Sequence, residues 1–103
     1  MSVIREAMEF FTSPFSPFAR KIHLVLDHKK LTGDGLAIID GLDTRNRERL
    51  LAKNPRVEVP ALVDGDLTVV NSADIASYLE DRYPEHPVFP RDPTQRAIAR
   101  AWE

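Results

Sequence analysis

Apolar and polar positions divide the chain into short segments whose periods alternate between strand-like and helix-like. Met8 to Thr12 is a compact apolar run with two phenylalanines, closed by Ser13-Pro14, which predicts a buried strand. A helix is expected next. Ser16 suits the N-cap and Pro17 the first helical position, where a missing N–H costs nothing. Phe18, Ile22, Val25 and Leu26 then recur at i, i+4, i+7 and i+8 as one apolar stripe, and Lys29, Lys30 and Gly33 mark the helix end.

Leu36 to Ile39 predicts a second strand, ended by Asp40-Gly41, and Asp43 is placed to cap a second helix carrying Leu50 and Leu51 that stops before Pro55. Val57 to Val63 predicts a third strand. Asp64-Gly65 is a hairpin turn, and Leu67 to Val70 the returning strand. Asn71 or Ser72 caps a third helix, with Ile75, Tyr78 and Leu79 inward and Pro84 as its stop. Two strands joined by a helix run parallel with a right-handed crossover, whereas the hairpin is antiparallel. The expected class is α/β, a four-stranded mixed sheet in the order β-α-β-α-β-β-α with flanking helices.

The last twenty residues follow another pattern. Pro84, Pro87, Pro90 and Pro93 make a stiff connector, and Asp92-Pro93 opens a helix from Thr94 to Trp102. Ile98 and Trp102 form an i, i+4 pair that needs a partner surface, and the chain ends at Glu103 within that helix. The expectation is a helix belonging to something larger.

Composition narrows the chemistry. A chain of 103 residues allows one small domain, and 43% hydrophobic with 29% charged residues is a soluble globular composition. Fourteen basic and sixteen acidic residues give a net charge of -2, with no basic run to neutralise a phosphate backbone, so no nucleic-acid partner is expected. No apolar run approaches the roughly 20 residues of a membrane span, and the start lacks an apolar secretory stretch. No membrane association is expected, and the cytoplasm is the expected compartment. The zero cysteine count excludes disulfides, thiolate metal sites, cysteine nucleophiles and dithiol redox motifs. His23, His28 and His86 lack metal-ligand spacing, so no metal is expected either. Any sulfur chemistry must use a sulfur that arrives on a substrate.

Three fragments, in this order and spacing, carry a family likeness: Ser13 to Lys30, Val59-Pro60-Ala61-Leu62-Val63-Asp64-Gly65, and Asn71-Ser72-Ala73-Asp74-Ile75 through Arg82-Tyr83-Pro84. Together they resemble the N-terminal domain of glutathione transferases over about residues 7 to 84. The closing Asp92-Pro93-x-x-Arg96-Ala97 segment resembles the opening of that family's helical second domain. The resemblance implies a thioredoxin-like fold with a cis Val59–Pro60 bond. It also implies a glutathione-binding domain at 7–84, a proline-rich linker at 85–92, and at 93–103 the first helix of an all-helical domain lying outside this chain. The implied activity is that of a glutathione transferase with a role in detoxification, although the fragment alone is expected to be inactive. Glutathione would be the co-substrate and an electrophilic small molecule its acceptor, with no permanently bound cofactor. The full-length form would be a homodimer.

The chemistry this requires is specific. A free thiol of pKa ~8.5 is only about 3% thiolate at neutral pH. The positive end of a helix and a donated hydrogen bond both favour the anion, and lowering the pKa by two units takes about 2.7 kcal/mol. By resemblance Ser16 is the catalytic hydroxyl, aligned with the family's Ser-Pro-Phe serine and with the reactive cysteine of its cysteine-using branches. Ser13 is the runner-up. Taken alone, Ser16 reads as a plain N-cap and Ser13 as a strand end. Val59, preceding Pro60, matches the residue whose backbone pairs with the cysteinyl part of glutathione. Asn71-Ser72 matches a Glu/Gln-Ser pair that holds the γ-glutamyl group, and reads equally as a helix cap. Asn71 departs from that pattern by losing a charge. Glu58 departs too, standing where the family often has a lysine to meet the glycine carboxylate. Arg56 or Arg45 is placed to supply the missing positive charge, or is simply solvated. The competing reading is a non-catalytic protein-interaction or glutathione-binding module, towards which both departures point. A glutaredoxin-like redox role is excluded by the absence of cysteine.

Overall fold

The computed structural model describes residues 8–31 and 35–101; Gly33 and Trp102, read above as parts of helix ends, lie outside them. The elements are β1 (Met8–Thr12), α1 (Pro17–His28), β2 (Leu36–Asp40), a 3₁₀ turn (Thr44–Asn46), α2 (Arg47–Lys53), β3 (Ala61–Asp64), β4 (Leu67–Val70), α3 (Ser72–Arg82) and α4 (Pro93–Ala101). The sheet order is β2-β1-β3-β4, with β1 parallel to β2 and the remaining pairs antiparallel. This is the thioredoxin-like arrangement expected, and the Val59–Pro60 bond is cis.

β1 is central and covered on both sides, which is why it reads as a continuous apolar run. Met8 and Phe10 face a core built with Ala19, Ile22, Val25 and Leu26 of α1 and Ile75, Ala76 and Leu79 of α3. Phe11 faces the opposite layer, with Ile39, Ala61, Val63 and Leu50 of α2. The register places Phe11 beside both Ile39 and Ala61, so one face of three strands converges on Leu50.

Several boundaries and orientations differ from expectation. The third strand begins only at Ala61, because Val57 takes a positive φ of 55° and Pro60 has no N–H to give a ladder. Asp43 caps the 3₁₀ turn rather than α2 itself. Only Leu50 of the leucine pair is buried; Leu51 is exposed. Phe18, expected in the stripe, is 63% exposed, and Ala19 takes the buried position in the first turn of α1. Tyr78 is half-buried, with its hydroxyl donating to the Asp64 carboxylate. Burial, and then that hydrogen bond and the charge of Asp64, push the Tyr78 phenol up to about 12.

Lys29, which ends α1, and Glu80 of α3 form a buried ion pair at 2.7 Å. Burial pushes the Glu80 carboxyl up, but the Lys29 ammonium and the N–H groups of Phe89 and Val88 outweigh it and hold the group below its ordinary value. Among the described residues, no helix is long and apolar enough to cross a membrane.

Candidate functional site

A cleft of about 1020 Å³ opens where four segments meet. α1 contributes Phe18 and Lys21, the loop after α2 contributes Asn54 to Arg56 and Glu58 to Pro60, the start of α3 contributes Asn71 to Ala73, and α4 contributes Ala99. The structure therefore brings Glu58, Val59, Pro60, Asn71 and Ser72 into one hollow, although ten residues of hairpin separate the two groups in sequence. Ser16 and Ser13 are not among the lining residues. Ser16 lies two residues before Phe18, which is.

The loop that carries Val59 is organised by a residue that sequence reasoning passed over. Asn54 is 4% exposed. Its Nδ2 donates to the Glu58 carbonyl at 3.0 Å, its Oδ1 accepts the Arg56 N–H at 3.1 Å, and its carbonyl accepts the Val57 N–H at 2.9 Å. These bonds close the turn tightly enough to hold a β-branched residue, Val57, in left-handed backbone, a conformation costing about 1–3 kcal/mol. Asn54-Pro55 is a turn signal in its own right, and it was the available clue. Beyond the turn, the Val59 side chain packs into the layer around Leu50 while the residue also lines the cleft. Among the described residues, no hydrogen bond engages the Val59 N–H or C=O, and β3 pairing starts at Ala61.

The two serines behave differently. Ser13 is buried; its Oγ accepts the Phe15 N–H at 3.1 Å and its carbonyl accepts the Ser16 N–H at 3.3 Å, so it closes the turn after β1. Ser16 is the N-cap of α1, with Oγ accepting the Ala19 N–H at 3.1 Å. A hydroxyl that accepts in this way keeps its own proton to donate. Pro17 at N1 has no N–H, and around Ser16 the side chains of Phe15 and Phe18 stand in solvent.

At the other helix start, Asn71 caps α3 through Oδ1, which accepts the Ala73 N–H at 2.9 Å. Its φ of 77° is a region Asn tolerates better than most side chains. Ser72 is buried as the first residue of α3. The helical-cap reading therefore holds at Asn71 alone, and Ser72, the first helical residue, sets its hydroxyl beside a helix N-terminus suited to an anion.

The charged groups at the cleft are Lys21, Arg56 and Glu58. Arg45 is elsewhere, bonded to Asp43 through Nη2 at 2.7 Å. Those side-chain bonds from Arg45, with its backbone N–H, lower the Asp43 carboxyl to about 2. His23 is half-buried: its Nε2 lies 2.8 Å from Thr12 Oγ1 and its ring stands edge-on to Phe10.

Comparison with known proteins adds an independent line. Residues 10–87 match the family model of the glutathione S-transferase N-terminal domain. The chain is 38% identical over 93 residues to the pyrimidodiazepine synthase of Drosophila melanogaster, which covers 86% of this chain and 37% of that protein. A glutathione S-transferase from the Antarctic clam Laternula elliptica superposes with a TM-score of 0.75 at 39% identity, covering 89% of this chain and 42% of the other. A glutathione S-transferase from Methylobacterium radiotolerans, solved with glutathione sulfonate, gives a TM-score of 0.77 at 26% identity, covering 94% of this chain and 45% of the other. The chain thus spans less than half the length of each.

Proposed function

Because the chain belongs to the glutathione S-transferase N-terminal-domain family, we propose that its cleft binds glutathione and that Ser16 activates the bound thiol for transfer to an electrophilic small molecule. The observation that carries this reading is the convergence of Val59, Pro60, Asn71 and Ser72 on one cleft that also reaches the first turns of α1. The unpaired peptide groups of Val59 offer an N–H and a C=O to the cysteinyl unit, as an added strand would. Ser72 and the first N–H groups of α3 receive the γ-glutamyl carboxylate. Arg56 and Lys21 bring positive charge to the same cleft as Glu58, so the glycine carboxylate meets a mixed field.

Ser16 accepts from Ala19 and donates its hydroxyl proton to the sulfur, while the positive end of α1 favours the anion. The thiol proton passes to water. The thiolate then forms the sulfur–carbon bond as the carbon–leaving-group bond breaks and that group departs with its electron pair, or, in an addition, as the π bond opens and its carbanion takes a proton from water. Phe15 and Phe18 offer exposed apolar surface beside the serine. The buried Ser13, spent on its turn, is the poorer donor. In the whole protein, residues 7–84 form the glutathione-binding domain, 85–92 the linker and 93–103 the start of a helical domain that supplies most of the electrophile site. A cytoplasmic homodimer acting in detoxification is the corresponding full-length form.

The test is a thermal or urea unfolding titration with glutathione and with S-methylglutathione. Protection that grows with ligand, about 2.7 kcal/mol at one hundred times Kd, is expected. No protection at millimolar ligand favours the second reading, a non-catalytic interaction module. That reading is supported by Asn71, whose carbonyl oxygen is engaged in capping, and by Glu58 at the cleft.

A further inference from the structure

α4 has no buried residue of its own, yet its Ala99 packs on the core and forms one wall of the cleft. Core burial therefore does little to dictate where this helix lies. We propose that the buried Lys29–Glu80 pair is the clasp that sets α4 against the cleft, which makes Glu80 a positioning residue for that wall. What the wall does for ligand rests on the glutathione reading above; where the helix sits does not.

The outward bonds of the pair all land on the segment before α4. Lys29 Nζ donates to Glu80 Oε1 at 2.7 Å, to the Tyr83 carbonyl at 2.7 Å and to the His86 carbonyl at 3.1 Å, which uses its three protons. Glu80 Oε1 also accepts the Val88 N–H at 3.1 Å, and Oε2 accepts the Phe89 N–H at 2.9 Å. His28 Nε2 lies 3.1 Å from the Pro87 carbonyl, a further tie to the same segment. Phe89, thus fixed, sits in the core.

α4 then docks on what the clasp holds. The Arg96 and Arg100 guanidinium groups lie 5.7 Å and 5.0 Å from the centre of the Phe89 ring. Arg96 also faces Glu80 Oε2 and Asp81 Oδ1, each at 3.8 Å. A buried ion pair is a weak source of net stability, so its better-attested use is to specify one arrangement among several. Here the arrangement is that of residues 83–89 and the helix after them.

Glu80→Gln tests the clasp with little change of volume. A carboxylate accepts on both oxygens, whereas an amide has one acceptor oxygen and an NH2 that meets another donor. It cannot satisfy Lys29, Val88 and Phe89 together. The chain has no cysteine, so spin labels attached through Leu24→Cys on α1 and Ala97→Cys on α4, both exposed, report the distance between the helices directly. A single narrow distance distribution is expected with Glu80 intact. It broadens in Glu80→Gln and in Arg96→Gln, and affinity for S-methylglutathione falls about tenfold and about threefold respectively. Ile22→Val, which loosens the core without touching the clasp, keeps the narrow distribution. If Glu80→Gln does not fold, Arg96→Gln, at a partly exposed position, decides alone. A distribution that stays narrow in the folded variants overturns the proposal; full ligand affinity with a loosened α4 upholds the clasp and overturns the wall's part in binding. If the unsubstituted chain binds no S-methylglutathione, the glutathione reading falls, and the label distances still decide the clasp.

Discussion

Gly41 lies so close to Val59 that a β-carbon on the glycine would stand 2.5 Å from Val59 Cγ1. The same atom would come within 3.3 Å of Leu50 Cδ2, while the Gly41 N–H is held by the Thr12 carbonyl at 2.8 Å. The glycine cannot retreat, so any side chain there must move Val59. Gly41→Ala is expected to cost about 1–3 kcal/mol in urea unfolding, the range for overpacking a core. On the proposed reading it should also lower glutathione affinity, because Val59 lines the cleft. Unchanged stability and unchanged affinity together would show that the Val59 loop yields freely.

Substitution separates the N-cap role of Ser16 from its proposed role as the hydroxyl donor. Ser16→Ala removes the cap and the hydroxyl, costing about 1 kcal/mol; Ser16→Gly removes the hydroxyl but costs only a few tenths. Both variants should raise the pKa of bound glutathione, read as lost thiolate absorbance at neutral pH. A bound thiol whose pKa is the same in both variants would assign its activation to the helix terminus or to Ser13.

Asn54→Ala removes the side-chain bonds to Glu58 and Arg56 that hold the turn before Val59. A loss of about 1–3 kcal/mol follows from leaving these partners without it. The positive φ of Val57 should relax, and hydrogen exchange should quicken at the Arg56 and Val57 amides, which Asn54 holds. Exchange unchanged there would move the turn's support to Pro60 and Gly41.

Tyr78 predicts the alkaline limit of stability. Its phenol is raised from 10.0 to about 12, so the folded state favours the neutral form. A group raised in this way contributes fully below its unfolded pKa and loses that contribution as pH climbs through the folded value. The urea midpoint should therefore fall between pH 10 and about 12. Tyr78→Phe, which has no phenol to ionise, should show a shallower fall over that window.

The acid limit has the opposite sign. Asp43 is lowered from 3.8 to about 2 by Arg45, so its contribution is present above the first value and lost as pH falls towards the second. Glu80, lowered from 4.5, acts in the same direction. Asp43→Asn should flatten the dependence of the urea midpoint on pH between 3.8 and about 2. An identical slope in the variant would show that the exposed pair contributes nothing to folding.

The legible parts of the fold share a property: their signal is local. The Ser16-Pro17 start, the Asp64-Gly65 turn and the Asp92-Pro93 start each follow from one or two residues acting on their own backbone. The apolar run of β1 is legible for a related reason, since burial on both faces leaves no alternation to misread. The candidate site was legible in part. Asn71 and Ser72 stood out as a cap, and Val59-Pro60 as a motif, and both segments line the cleft. Phe18 was assigned to the core because its spacing fits the stripe, but in the first turn of α1 that position faces the cleft. Lys29 and Glu80 carried no signal, because a lysine at a helix end and a glutamate within a helix are ordinary solvated residues until a third segment covers them.

Short-range physical chemistry let the sequence by itself determine the order of elements, their capping and turn residues, the absence of cysteine chemistry and the segments that resemble a glutathione site. Tertiary structure alone decided which residues became neighbours. It turned Phe18 outward, placed Asn54 under the Val59 loop, set Gly41 against Val59, and buried Lys29 with Glu80 beneath residues 83–89. The reason is physical: the energy of a buried charge, an overfilled contact or a side-chain bond depends on what lies across the gap. That partner is chosen by the folded sheet and its helices, not by the adjoining residues of the chain.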